Sequence, residues 1–235
     1  MGLPDGESVR GLRGWLSRLA PLRQGDEGRP DPGEPVDGDP CPVVASKALP
    51  KFLSHLETRP APVLLDLGCV VGPNITYFGD RLNCKVVVED LFADLERHVR
   101  QGERDAFPAF LSDRFRLEAE SVDGVLVWDL YDFLDRASAR ALAAVLVRLM
   151  RTDGALFGFF GTGGRSGLGC AKYIVIDDSH LRERARESTL ERQGPLQNRD
   201  IIKMFDGMRV AEAFLLKTGR REMLFRKGGG GRPII

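Results

Sequence analysis

The stretch VLLDLGCVVGPN, Val63 to Asn74, runs aliphatic residues into a carboxylate, Asp66, and then into two glycines four apart, Gly68 and Gly72. A continuous apolar run bounded by such a break reads as a buried strand. Pro73 stands where a first helical turn would begin, and Ile75, Phe78 and Leu82 follow at helical spacing. Strand, acid, glycine turn and helix together make a ligand site. The glycines let the backbone bend and let a guest approach the main chain, and helix-terminal N–H groups face that guest.

The rest of the chain repeats the alternation. CKVVVED (Cys84 to Asp90) is a second strand, Leu91 to Gln101 a helix, and GVLVWDL (Gly124 to Leu130) a third apolar run. A helix is expected over Ala137 to Met150, and ALFGFF (Ala155 to Phe160) is a strand after a turn at Asp153-Gly154. Apolar strands separated by helices imply a parallel sheet covered on both faces, with ligands at the edge where the helices begin. QNRDIIKMFDGM (Gln197 to Met208) reads as a helix with Ile201, Phe205 and Met208 inward. VAEAFLLK and REMLFRK follow, separated only by Thr218-Gly219-Arg220. So short a link cannot carry a parallel crossover, which predicts an antiparallel hairpin at the sheet edge.

Composition narrows the classes. The chain has 235 residues, 43% hydrophobic and 29% charged, enough for one well-buried domain. Lys plus Arg and Asp plus Glu are 34 each, so no whole-molecule charge draws it to nucleic acid or an anionic membrane. Its four cysteines have neither C-x-x-C nor zinc-ligand spacing, so no metal site is expected and reduced thiols are. No apolar run reaches the roughly 18 residues of a membrane span, and Arg10, Arg13 and Arg18 break any signal-peptide core. A cytoplasmic protein is expected. Residues 1–20 read as a short amphipathic helix, with Val9, Leu12, Trp15, Leu16 and Leu19 on one face. That face would meet its own domain, a protein partner or a membrane surface. Residues 21–42 read as a Pro/Gly-rich linker, 43–227 as the domain, 161–196 as an insertion or lid, and 228–235 as a disordered tail.

Asp66 decides the ligand class. A dinucleotide site expects G-x-G-x-x-G, and that spacing fails here. A carboxylate beside a pyrophosphate repels it, whereas the same acid suits an ammonium group. S-adenosylmethionine carries an amino-acid end and a sulfonium and no phosphate. The acid therefore favours that cofactor over a nicotinamide nucleotide.

On these residues the sequence resembles the class I S-adenosylmethionine-dependent methyltransferases, of the type 11 kind. Their first motif is an acid followed by glycines at alternate positions. Here it reads Asp66-Leu67-Gly68-Cys69-Val70-Val71-Gly72, with Val70 in place of the middle glycine. The likeness extends over about Pro62 to Lys227. It implies a Rossmann-like, doubly wound α/β fold, whose mostly parallel seven-stranded sheet closes with an antiparallel hairpin and carries helices on both faces. It also implies cofactor contacts from Asp66, Gly68, Cys69, Gly72 and Asn74 of the first turn. Glu89 is the first choice to accept from the ribose hydroxyls and Asp90 the second. Asp113 and Arg114 of LSDRF occupy the adenine place after the family's third strand, and Trp128 ends the fourth. Asp129 and Tyr131 are the candidate catalytic residues, as general bases for an acceptor that must lose a proton. Each acid has a plainer reading as a helix cap, and Tyr131 as packing.

Other features are weaker. His180 could act as a base, while His55 and His98 read as surface helix residues. GTGGRSGLG (Gly161 to Gly169) lacks the lysine of a phosphate loop and reads as a mobile lid, and RERARE (Arg182 to Glu187) as a solvated helix face. The expected activity is methyl transfer to a small or unidentified acceptor. A non-catalytic interaction module, favoured by Val70, and an NAD(P)-dependent oxidoreductase are the alternatives.

Overall fold

The computed structural model describes residues 41–163 and 170–228. The readings on residues 1–40 and 229–235, and on most of the glycine-rich stretch after Gly163, lie outside these. The main sheet has six strands in the order β3 (Lys85–Val88), β2 (Val63–Asp66), β4 (Val122–Trp128), β5 (Met150–Gly161), β9 (Arg220–Lys227) and β8 (Met208–Leu215). The first four are parallel, and β9 runs antiparallel between β5 and β8. The fold is thus α/β with a mixed sheet.

Seven strands were expected in this sheet, and among the described residues it has six. The strand anticipated ahead of LSDRF is absent, because Phe107–Arg114 forms helix α4, opened by Pro108, and residues 115–121 are irregular. A second, three-stranded antiparallel sheet has the order β1 (Val43–Ala45), β7 (His180–Arg186), β6 (Cys170–Asp177). RERAR is therefore strand β7, and its charge alternation follows a period of two rather than a helix.

Helices form where caps permit. Helix α2 (Gly72–Leu82) has Pro73 in its first turn and ends on Asn83 at φ +51. Helix α3 (Leu91–Gln101) is capped by Asp90, which accepts the Ala93 N–H at 3.0 Å, and ends at Gly102. Asp135 caps α5 (Arg136–Leu149) in the same way through the Ser138 N–H at 2.8 Å. Helices α1 (Leu49–Leu56) and α6 (Asn198–Met204) complete the set. Met208, expected at the end of the last helix, instead opens β8. The turn expected at Asp153-Gly154 is a kink inside β5, where Asp153 has φ +62 and the β4 pairing slips from Val122–Met150 to Gly124–Ala155.

Strand alternation sends side chains to two cores. Leu65, Val125, Val127, Leu156 and Phe160 join the layer built from α3, α4, α5 and α6. Leu64, Leu126, Trp128, Phe157 and Phe159 face α1, α2 and the small sheet, whose Tyr173, Val175 and Leu181 seal that side. His98 is buried against Phe107 and Phe110 with Nδ1 on the Asp94 carbonyl, 2.8 Å away, so it is a core residue and not a surface one. No helix among the described residues is long and apolar enough to cross a membrane.

Candidate functional site

Strand β2 lies between β3 and β4, so the turn after it opens where the chain's crossovers diverge to the two sides. That divergence is the usual ligand crevice of a parallel sheet. Asp66 stands at its base and is 3% exposed. Its Oδ1 accepts the Gly68 N–H at 2.9 Å and the indole N–H of Trp128 at 2.7 Å. Burial pushes the carboxyl up to about 6, against the pull of those two donors.

Glycine at 68 is a steric requirement. A Cβ there would stand 2.6 Å from Trp128 Cδ1 and 2.8 Å from its Nε1. Gly72, by contrast, has nothing within 4 Å of such an atom and simply opens α2. Val70 is 61% exposed, so its bulk stands clear of the turn's interior. Trp128 has φ +46, and its ring stacks on Tyr173 at 5.1 Å with 4° between planes.

The small sheet covers this turn, and residues expected to touch a cofactor hold it in place. Asn74 donates to the Tyr173 carbonyl and accepts the Val175 N–H, both at 2.8 Å. Cys69 is buried and its Sγ accepts from Arg186 Nη1 at 3.2 Å, while Arg186 also reaches Glu96. Burial pushes the Cys69 thiol up to about 11. Tyr77 and Arg81 of α2 both bond Asp178 at the β6–β7 turn. His180 sits at that turn, its Nδ1 3.0 Å from Asp177. This cover went unseen in the sequence, where its strands read as insertion and helix.

At the end of β3 the two acids separate. Glu89 pairs with Arg114 Nη1 at 2.6 Å, and Arg114 Nε reaches Asp94 at 2.8 Å. Asp90 spends one oxygen on the α3 cap. Asp113 is exposed on α4, so of the adenine pair only Arg114 is brought to the strand-end acids.

Asp129 and Tyr131 diverge onto different surroundings. Asp129 is fully buried, and its Oδ2 accepts from Arg192 Nη2 at 2.8 Å. Its Oδ1 has no hydrogen-bond partner among the described residues. Burial pushes this carboxyl up to about 6, with Asp132 adding and Arg192 opposing. Arg192 also binds Asp132 and lies 4.8 Å over the Phe133 ring. Tyr131 packs in the other core between Phe160 and Phe205, at 5.5 and 5.4 Å, with burial holding its phenol well above the ordinary range. Its hydroxyl has no hydrogen-bond partner among the described residues. The plainer packing reading describes its position.

No protein-family model matches the chain, and no curated protein matches it. Solved structures do. One is the 1,6-didemethyltoxoflavin-N1-methyltransferase of Burkholderia thailandensis, crystallised with 1,6-didemethyltoxoflavin and S-adenosylhomocysteine. It is 18% identical, with 78% of each chain covered and a TM-score of 0.45. Streptomyces venezuelae DesVI is 16% identical over 78% of this chain and 93% of its own, with a TM-score of 0.47. A TehB-like S-adenosylmethionine-dependent methyltransferase from Corynebacterium glutamicum is 17% identical over 77% and 87%, with a TM-score of 0.45. Likeness at this level carries no argument about the site, whose reading rests on the geometry above.

Proposed function

We propose that the chain binds S-adenosylmethionine at the β2–α2 turn and transfers its methyl group to a small or unidentified acceptor. One observation carries the reading: a buried carboxylate at the crevice of a parallel sheet, on a glycine turn whose spacing is wrong for a pyrophosphate. The donor set fits the cofactor. Asp66 would take the ammonium, and Glu89 the ribose hydroxyls, with Asp90 as second choice. When bound, the cofactor supplies a methyl carbon already activated by its sulfonium.

The protein's part is then alignment, exclusion of water and, where needed, removal of a proton. Tyr173 and its strand exclude water over the turn. Asp129, fully buried with one oxygen unpartnered among the described residues and a pKa of about 6, is the group suited to accept a proton near neutral pH. Arg192 holds that carboxylate in place as a positioning residue. Tyr131 has no role in this scheme.

Titration calorimetry with S-adenosylmethionine, S-adenosylhomocysteine and NAD tests the reading. Saturable binding of the first two, lost on Asp66→Asn, supports it. Binding of NAD alone, or equal affinity in wild type and Asp66→Asn, refutes it.

A further inference from the structure

The contact between Trp128 and Asp66 goes beyond a packing detail. We propose that Trp128 is a displaceable internal ligand of the cofactor acid: the indole N–H holds Asp66 until the ammonium end of the cofactor takes its place. The inference rests on the methyltransferase reading above.

Three independent features converge on that contact. The first is occupancy, because Asp66 Oδ1 already carries the indole N–H at 2.7 Å and the Gly68 N–H at 2.9 Å. Two donors at such distances leave Oδ1 little capacity for a third, so a guest that takes Oδ1 takes the indole's place there. The second is space. The indole lies so close over Gly68 that a single added carbon would stand 2.6 Å from the ring. No amino-acid end of a guest slides between them.

The third is the backbone. Trp128 has φ +46, a left-handed conformation that a bulky residue adopts only when its surroundings hold it there. The pairing of β4 with β5 shifts between Leu126 and Trp128, so the strand itself deforms to deliver the indole. The stack on Tyr173 and the bond to Asp66 are the restraints in view. Release of the indole would relax this turn.

Exchange is favourable in sign. An uncharged N–H donor gives way to a full positive charge on a buried carboxylate; both bonds are charge-assisted through the carboxylate, and the ammonium adds the attraction of opposite charges. The same exchange lowers apparent affinity, because only chains with the indole withdrawn accept the guest. Tyr173 belongs to the strand that Asn74 ties to α2, so withdrawal couples the cofactor turn to the small sheet above it. Trp128 thus acts against the cofactor rather than as one of its contacts.

The test uses the full chain with Trp15→Phe, leaving Trp128 as the single tryptophan. S-adenosylhomocysteine is the probe, followed by tryptophan emission and by calorimetry. We expect Trp128 emission to change saturably at the calorimetric Kd. Trp128→Phe keeps a ring for Tyr173 and removes the donor, and should bind the probe about tenfold tighter, the size of one hydrogen bond to a charged group. Trp128→Leu serves if the phenylalanine variant misfolds. Probe binding by wild type with equal or weaker binding by both variants overturns this proposal and leaves the methyltransferase reading standing. Absence of binding by wild type and by both variants overturns the reading itself, and this proposal with it.

Discussion

Asn74, in the first turn of α2, donates its amide to the carbonyl oxygen of Tyr173, 2.8 Å away and 99 positions later in the chain. The same side chain accepts the Val175 N–H, so it completes the hydrogen bonding of a strand that is at the sheet's edge among the described residues. Asn74→Ala would leave a buried C=O and a buried N–H unsatisfied, each costing about 1–3 kcal/mol. We expect a loss of about 2–6 kcal/mol in urea unfolding and faster amide exchange at Val175. Unaltered exchange there would show that α2 does not hold the small sheet.

Arg192 sits between two carboxylates, the fully buried Asp129 and the partly buried Asp132. Removing one partner of a buried pair leaves uncompensated charge, which costs about 3–5 kcal/mol. Arg192→Met should therefore destabilise by that amount, and adding Asp129→Asn should restore part of it. A double-mutant cycle read by thermal unfolding checks the coupling.

The two glycines of the turn should behave differently. Gly68→Ala drives a methyl into the Trp128 indole and is expected to cost about 1–3 kcal/mol. Gly72→Ala meets open space at a helix start and should stay within about 0.5 kcal/mol of wild type. Equal effects at both positions in a denaturant series would contradict the packing described for Trp128.

Asp66 is raised from 3.8 to about 6 in the folded chain. Between those values the folded state keeps a proton that the unfolded state has released. This group's contribution to stability is therefore fully present below pH 3.8 and is lost as pH rises through 6. Asp66→Asn should be more stable than wild type at pH 8 by up to about 3 kcal/mol, at 1.36 kcal/mol for each pKa unit. The difference should shrink to nothing below pH 4, as read by unfolding at matched pH values. Binding of a cationic guest follows the ionised form, so its affinity should fall as pH drops below 6.

What the sequence displayed and what it hid divide along range of interaction. Val63 to Asp66, Lys85 to Val88 and Val122 to Trp128 were legible as strands because each is an apolar run bounded by its own breakers. Asp66 and Gly68 stood out as a candidate site because chemistry and spacing coincide within three residues, and the contact between them, Gly68 N–H to Asp66 Oδ1, is as local as that spacing. Long-range partners were not legible. Asn74 is a helix residue whose polar ends are consumed by a strand from the far half of the chain. Arg182 to Arg186 alternates charges that suit a solvated helix and a half-exposed strand equally well, and only pairing with β6 and β1 decides between them. The expected third strand failed because Pro108 starts a helix where an extended segment was anticipated. His98 and Tyr131 show the same limit, since a polar tip on an aromatic body reads as surface or catalyst until its neighbours are known.

A crystal structure of the full chain with S-adenosylhomocysteine tests the central claim most directly. The account predicts the ligand's amine within about 3.2 Å of an Asp66 carboxylate oxygen, with the Trp128 indole withdrawn from it. An amine bound elsewhere, or an indole N–H still seated on Asp66 beside the bound ligand, would contradict it.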